Sequence, residues 1–217
     1  FKEFVQGVAS VIMEQNPADV DALLACNMGD KTVDAELKEK ILVIGENIKI
    51  RRFSRYEGPC AAYIHLGGTH AVLLGFKTSD EIAANPAFEA CGRDVCMQIA
   101  AANPSFVRES EVPAEVIEKE KEILMAQIES DPKNANKPAQ VKEKMITGKI
   151  GKYYKENCLV DQEFVKDPDI TVGQYVANVA KELGGDIEIV SFVRYEKGEG
   201  IEKREDDFAS EVASMVK

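Results

Sequence analysis

The only two histidines of this 217-residue chain, His65 and His70, stand five residues apart in the run AAYIHLGGTHAVLL, on either side of a Gly-Gly pair. An imidazole can act as a general base, a metal ligand or an interface hydrogen-bonding group, and each role needs different companions. A zinc centre needs further nitrogen, sulfur or carboxylate ligands. A nucleophilic dyad needs a thiol or hydroxyl in reach. No carboxylate or cysteine lies beside the two histidines at ligand spacing, so either chemistry would need partners from elsewhere in the fold. Cys60 is the nearest thiol, and five positions along a strand put Cys60 and His65 on opposite faces. No catalytic residue, metal ligand or cofactor is assigned on this pattern.

The residues around the histidines read as a β-hairpin. The flanks 61–64 and 71–74 are strand-like, and Gly67 and Gly68 supply the freedom in φ of a tight connection. The preceding NIKIRRFSRYE alternates β-branched and aromatic residues with charges, as a half-exposed strand does. Together they predict a three-stranded antiparallel sheet. Packing helices surround it. Phe1, Phe4, Val5, Val8 and Ile12 recur at helical spacing up to Asn16-Pro17, and Val33, Leu37, Ile41 and Ile44 do so up to Gly45. Asn85-Pro86 opens a third helix with the stripe Phe88, Cys91, Val95, Ile99 and Ala102. Thr171 and Gln174 form a capping box ahead of Val172, Tyr175, Val176, Val179 and Leu183, and Gly184-Gly185 end that helix. A strand over 187–196 follows. Its FVRYEKG echoes the earlier FSRYEG, which hints at two similar halves. The tail from residue 201 is a final helix with Ile201, Phe208, Val212 and Met215 on one face.

The middle of the chain differs in character. Residues 112–129 and 138–157 are charged and favour helix, and SDPKNANKP between them is a loop. They predict an αα-hairpin that projects as a coiled coil, with Val116, Ile117, Ile123, Leu124 and Ile128 facing Val141, Met145, Ile150 and Tyr153. Its apolar seam is narrow, so Ile117, Leu124, Ile128, Met145 and Ile150 are expected to be only partly covered and open to a second hairpin.

Composition narrows the function classes. The chain is 45% hydrophobic and 30% charged, enough to bury a core in one domain or two small ones. A net charge of −11 repels nucleic-acid phosphate and anionic lipid, so neither direct nucleic-acid binding nor membrane attachment is expected. No apolar run approaches the roughly 18 residues of a membrane span, and nothing reads as an export leader. Five cysteines without a C-x-x-C pair fit reduced thiols, so a cytoplasmic location is expected.

The segments GENIKIRRF, YIHLGG, QIAAANPSFV, EKMITGKIGKYYKENCLVDQEFVKD, TVGQYV and GEGIEKREDDFASEV, in this order, resemble the bacterial elongation factor Ts family over essentially the whole chain. That family comprises the guanine nucleotide exchange factors for elongation factor Tu. The resemblance implies an α+β fold of two related subdomains, each with an antiparallel three-stranded sheet, an inserted helical hairpin used for dimerisation and a C-terminal helical module. In this chain it assigns 1–58 to core subdomain N, 59–111 and 159–200 to core subdomain C, 112–158 to the hairpin and 201–217 to the C-terminal module. It implies contact with elongation factor Tu, GDP-bound or nucleotide-free, through His65 flanked by Ile64, Leu66, Gly67 and Gly68, and through Phe208 and Val212. A homodimer would form through Ile117, Leu124, Ile128, Met145 and Ile150. The family's usual run is similar to Y-I-H-G-G-G-R-I-G-V. Here Leu66 stands in place of a glycine, Thr69 in place of an arginine, and His70 and Ala71 also depart from the pattern. The family's N-terminal helical domain and TDF motif do not occur in this sequence, so core, hairpin and C-terminal module are the parts expected. Two other readings stay open. One is a coiled-coil adaptor or scaffold without exchange activity, and the other an enzyme recruiting Cys60 and His65.

Overall fold

The computed structural model describes residues 1–201. These fall into two units, Phe1–Gly58 and the chain from Pro59 onward. In the first unit, helix α1 (Lys2–Gln15) buries Phe4, Val8, Val11 and Ile12, whereas Phe1 and Val5 of the expected stripe stay exposed. It stops at Asn16, whose left-handed φ of 46° lets its N–H reach the Ile12 carbonyl. The short α2 (Val20–Ala25) is capped by the Asp19 carboxylate, which accepts from Ala22 N at 2.8 Å. A two-stranded ribbon, β1 (Asn27–Met28) and β2 (Lys31–Thr32), leads into α3 (Val33–Ile44). Thr32 caps α3, and Gly45 closes it at φ 78°. Leu23, Val33 and Leu37 meet the α1 stripe to complete this core.

The second unit opens with strands β3 (Cys60–His65) and β4 (His70–Lys77), followed by α4 (Asp80–Ala83) and α5 (Pro86–Ala102). Helices α6 (Ala114–Ser130) and α7 (Ala139–Asn157) come next. A ribbon of β5 (Glu163–Phe164) and β6 (Asp167–Thr171), then α8 (Val172–Glu182) and β7 (Glu188–Glu196), complete the described chain. The sheet has the antiparallel order β3-β4-β7. Val72, Leu74 and Phe76 on its inner face are buried against Phe88, Cys91, Val95 and Ile99 of α5 and Val172 and Val176 of α8. Each fully buried aliphatic side chain in this core contributes about 1.5–3 kcal/mol relative to exposure. The caps read from sequence are present. Asn85 caps α5 with Pro86 at its first turn, and Thr171 and Gln174 bond each other's backbone N–H at 3.2 and 2.8 Å.

Two buried amides tie α5 to the chain beyond the helical hairpin. Gln98 Nε2 donates to Gln162 Oε1 at 3.1 Å, and Gln98 Oε1 accepts from Val165 N at 2.8 Å. Burial without partners would cost each amide several kcal/mol, so the pairing fixes which segment lies over the end of α5.

Several expectations need correction. NIKIRRFSRYE joins no ladder: residues 47–57 carry no strand, and the third strand of the sheet is β7, whose Glu196 pairs with His70. The alternation is real, since Ile48, Ile50 and Phe53 pack on the first unit's core, but packing alternate side chains does not require a ladder partner. Among the described residues there is accordingly one three-stranded sheet and two short ribbons, not two related sheets. Cys91 and Cys96 are both fully buried, because α5 is covered on more than one flank. No helix among the described residues is long and apolar enough to cross a membrane.

Candidate functional site

The hairpin of β3 and β4 ends in the four residues Leu66-Gly67-Gly68-Thr69, with His65 and His70 as the last cross-strand pair. The His65 carbonyl accepts from Gly68 N at 2.9 Å and from Thr69 N at 3.1 Å, and Thr69 Oγ1 donates to it at 3.1 Å. Leu66 and Gly67 both have positive φ, 41° and 66°, the sign pattern of a type I′ turn. Gly68 follows with φ 104°, and a positive φ at the first central position of such a turn favours Asn, Asp or Gly. A leucine there carries a left-handed penalty of about 1–2 kcal/mol.

β7 fastens the same end of the sheet. Lys197 N donates to the Thr69 carbonyl at 2.8 Å, and His70 Nε2 lies 3.5 Å from Glu196 Oε2. Glu196 also accepts from Arg194 Nη1 at 3.0 Å. The echoed motif in the first unit makes the same two-residue bond, Arg55 to Glu57, which holds the Glu57 carboxyl below its ordinary range. The likeness of the two motifs is therefore local, an arginine folded onto the glutamate two positions on.

Strand alternation sorts the tip into two sides. Ala61, Tyr63 and His65 turn toward the packed face, and Tyr63 Oη lies 2.9 Å from His65 Nδ1. That bond orients the imidazole. Ile64 and Leu66 are 69% and 76% exposed. The sequence-predicted residues Ile64, His65, Leu66, Gly67 and Gly68 are thus gathered at one tip, with the histidine half-buried and the two aliphatics outermost. Sequence reasoning misses Tyr63, Thr69 and Glu196. Tyr63 is recoverable from its place two residues before His65, on the same strand face, whereas Glu196 enters through a register that sequence does not print. Phe208 and Val212 lie outside the described residues.

The five dimerisation candidates sit elsewhere, between α6 and α7. Ile117, Leu124, Ile128 and Ile150 are buried against one another, together with Ile146, which periodicity over α7 passes over in favour of Met145. Met145 is half-buried at the edge. The expectation of partial cover holds for Met145 and is corrected for Ile117, Leu124, Ile128 and Ile150, which one chain buries by itself. Ile123 and Val141, placed in the seam from sequence, are instead 44% and 40% exposed.

Nothing at the tip is arranged for covalent chemistry. Cys60 is exposed on the face opposite His65. Burial pushes the Cys91 and Cys96 thiols up to about 12 and Cys158 to about 11, away from any nucleophilic range. Among the described residues no three His, Cys, Asp or Glu side chains are placed to hold a metal ion. A thiol titration at pH 8 checks this layout. Cys60 is expected to react first and half-exposed Cys26 more slowly, while Cys91, Cys96 and Cys158 react only after denaturant is added. Rapid labelling of all five in native buffer would mean that the core around α5 is open.

Comparison with known proteins bears on the whole chain. The family model described as elongation factor Ts matches residues 1–199. Elongation factor Ts of Syntrophotalea carbinolica is 46% identical over 226 residues, covering 100% of this chain and 71% of that protein. That of Symbiobacterium thermophilum is 47% identical over 210 residues, covering 94% of this chain and 66% of the relative. That of Clostridium perfringens is 45% identical over 219 residues, with 99% and 70% covered. The matched residues span both units and the helical hairpin, and the chain belongs to the elongation factor Ts family, acting in the elongation stage of protein synthesis.

Proposed function

We propose that the chain promotes nucleotide exchange on elongation factor Tu by pressing the β3–β4 tip against that GTPase. The observation that carries the reading is the tip itself: Ile64 and Leu66 stand exposed on a turn fastened by His65, Thr69 and Lys197. A rigid apolar projection loses little conformational freedom on docking. Exchange needs no covalent step. A nucleotide held at nanomolar affinity is bound by about 12 kcal/mol, and each tenfold acceleration of release through loosened binding needs about 1.4 kcal/mol of destabilisation. A factor that binds the nucleotide-free GTPase better than the loaded one supplies this by linkage, and the antagonism between factor and nucleotide is reciprocal. In this reading the factor loosens the nucleotide and magnesium site of its partner.

The test is release of a fluorescent GDP analogue from elongation factor Tu. His65→Ala is expected to weaken the factor's binding by about 1–2 kcal/mol while leaving the melting temperature nearly unchanged, as for an interface side chain of intermediate weight. His70→Ala is expected to do less, since its ring is turned toward Glu196 at the sheet's edge. Binding without faster release would support the scaffold reading instead. Equal losses at both histidines would remove the separate roles assigned to them.

A second reading, self-association through the helical hairpin, keeps one observation in its favour: Ile123 on α6 and Val141 on α7 are only partly covered by their own chain.

A further inference from the structure

The strained residue at the tip is also the most exposed of the large side chains there. Leu66 occupies the first central position of the turn with φ 41°, where a β-carbon is crowded, and its side chain is 76% exposed. It gains little from packing within its own chain. A β-carbon added at Gly67 or Gly68 would meet nothing within 4 Å, so the loop is open all round and its own packing does not call for a large side chain at 66. A conformation that is unfavourable locally and unrewarded internally points outward, to a function. Ile64, two residues earlier on the outer side of β3, is 69% exposed, so two large aliphatic side chains stand exposed at the tip.

We infer that Leu66 is a specificity-determining residue, which with Ile64 forms a two-pronged apolar anchor for a recess lined by aliphatic or aromatic side chains on the GTPase. The inference rests on the reading that this tip meets elongation factor Tu. The strands hold both prongs in place: the Ile64 backbone pairs with Ala71, and the turn is closed by three hydrogen bonds to the His65 carbonyl. Polar groups at the tip are already engaged, His65 with Tyr63 and His70 with Thr69 and Glu196. What the tip offers a partner beyond backbone and the half-buried His65 ring is therefore mainly apolar. A chain with glycine at 66 would present one prong, and a GTPase shaped for two would discriminate against it.

The experiment uses the whole chain and nucleotide-free elongation factor Tu, with affinity by titration calorimetry and stability by thermal melting. Leu66→Gly is expected to bind about 10-fold more weakly or worse and to melt no lower than the parent, because the turn loses its strain. Leu66→Asn is expected to lose affinity similarly, asparagine tolerating the same φ without the apolar prong. Leu66→Met is expected to retain most of it. Ile64→Asp and His65→Ala serve as controls on the tip. If Leu66→Gly and Leu66→Asn bind as the parent does while Ile64→Asp loses binding, the Leu66 inference is overturned and the tip reading stands. If all five variants bind normally, the tip reading itself falls, and the inference with it. If Leu66→Gly melts well below the parent, the leucine serves its own fold and the inference also fails.

Discussion

Gly92→Val is expected to destabilise the second unit by about 3 kcal/mol or more, the upper range for overpacking a close-packed core. Gly92 is buried in α5 where that helix crosses β3. A β-carbon built there would lie 2.7 Å from Ala61 Cβ and 3.4 Å from Phe76 Cε2. Neither neighbour can yield cheaply. Ala61 is held in the ladder opposite Leu74, and the Phe76 ring is already edge-on to Phe88 at 5.0 Å between centroids. Alanine at 92 already carries the 2.7 Å clash with Ala61 Cβ, offset only in part by about 1 kcal/mol of helix propensity, so it too is expected to destabilise, though by less than valine. For a chain of this size a loss of about 3 kcal/mol corresponds to a fall of roughly 6–12 °C in melting temperature. The consequence for function is positional. β3 carries Tyr63, Ile64 and His65, so moving it away from α5 moves the tip. The double variant Ala61→Gly/Gly92→Ala is expected to recover stability relative to Gly92→Ala alone, because the two sites share one contact. A valine variant melting within about 2 °C of the parent would mean that the helix and strand lie further apart than this packing has them.

Local signals carry much of this fold. The caps at Asn85 and Thr171, the glycine stop at Gly45, the β3–β4 turn and the extents of α6 and α7 are written in residues adjacent to one another, and they appear where sequence chemistry puts them. Pairing between distant segments is less legible. NIKIRRFSRYE and EIVSFVRYE have the same alternating character, yet only the second joins β4. Strand propensity reports fitness for a pleated, half-buried surface and does not name the neighbour. The Gln98–Gln162 pair is silent in sequence for the same reason, since an amide's need for a partner says nothing of which amide meets it. At the tip, YIHLGG marks the location, but it draws attention to the imidazole. The geometry gives the exposed positions to Ile64 and Leu66, and the sign of φ at Leu66 is hidden in a sequence whose glycines already explain a turn. In α7, Met145 and Ile146 are adjacent apolar residues either of which satisfies the period; the crossing with α6 selects Ile146.

Excising the helical hairpin is expected to leave a folded core that still accelerates nucleotide release while losing any self-association. The apolar cluster of Ile117, Leu124, Ile128, Ile146 and Ile150 is separate from the core built on Leu74, Val95 and Ile99, so each can exist without the other. The hairpin's two ends are already joined at their root. Ser105 N donates to the Asn157 carbonyl at 2.9 Å, Leu159 N to Phe106 O at 2.9 Å and Val160 N to Val107 O at 3.0 Å. Replacing residues 114–156 by a short Gly-Ser linker keeps Asn157 and those bonds, and the longer or shorter loop changes closure entropy only slowly with length. Self-association is a closer balance. With the seam closed inside one chain, a symmetric pair would newly bury only the 44% and 40% of Ile123 and Val141 still exposed on each copy, worth about 2–5 kcal/mol gross at about 1.5–3 kcal/mol for a side chain buried in full. Association costs about 4–15 kcal/mol before any specific contact is counted, so the net is at best close to zero. The intact chain is therefore expected to sediment as a monomer at micromolar concentration and to associate only when much more concentrated. Ile123→Glu and the excised variant are both expected to remove that concentration dependence. A tight dimer at micromolar concentration that survives Ile123→Glu would place the self-contact on another surface. Loss of the core's cooperative melt on excision would show that the hairpin is part of the second unit's core, and would end its treatment as a separate module.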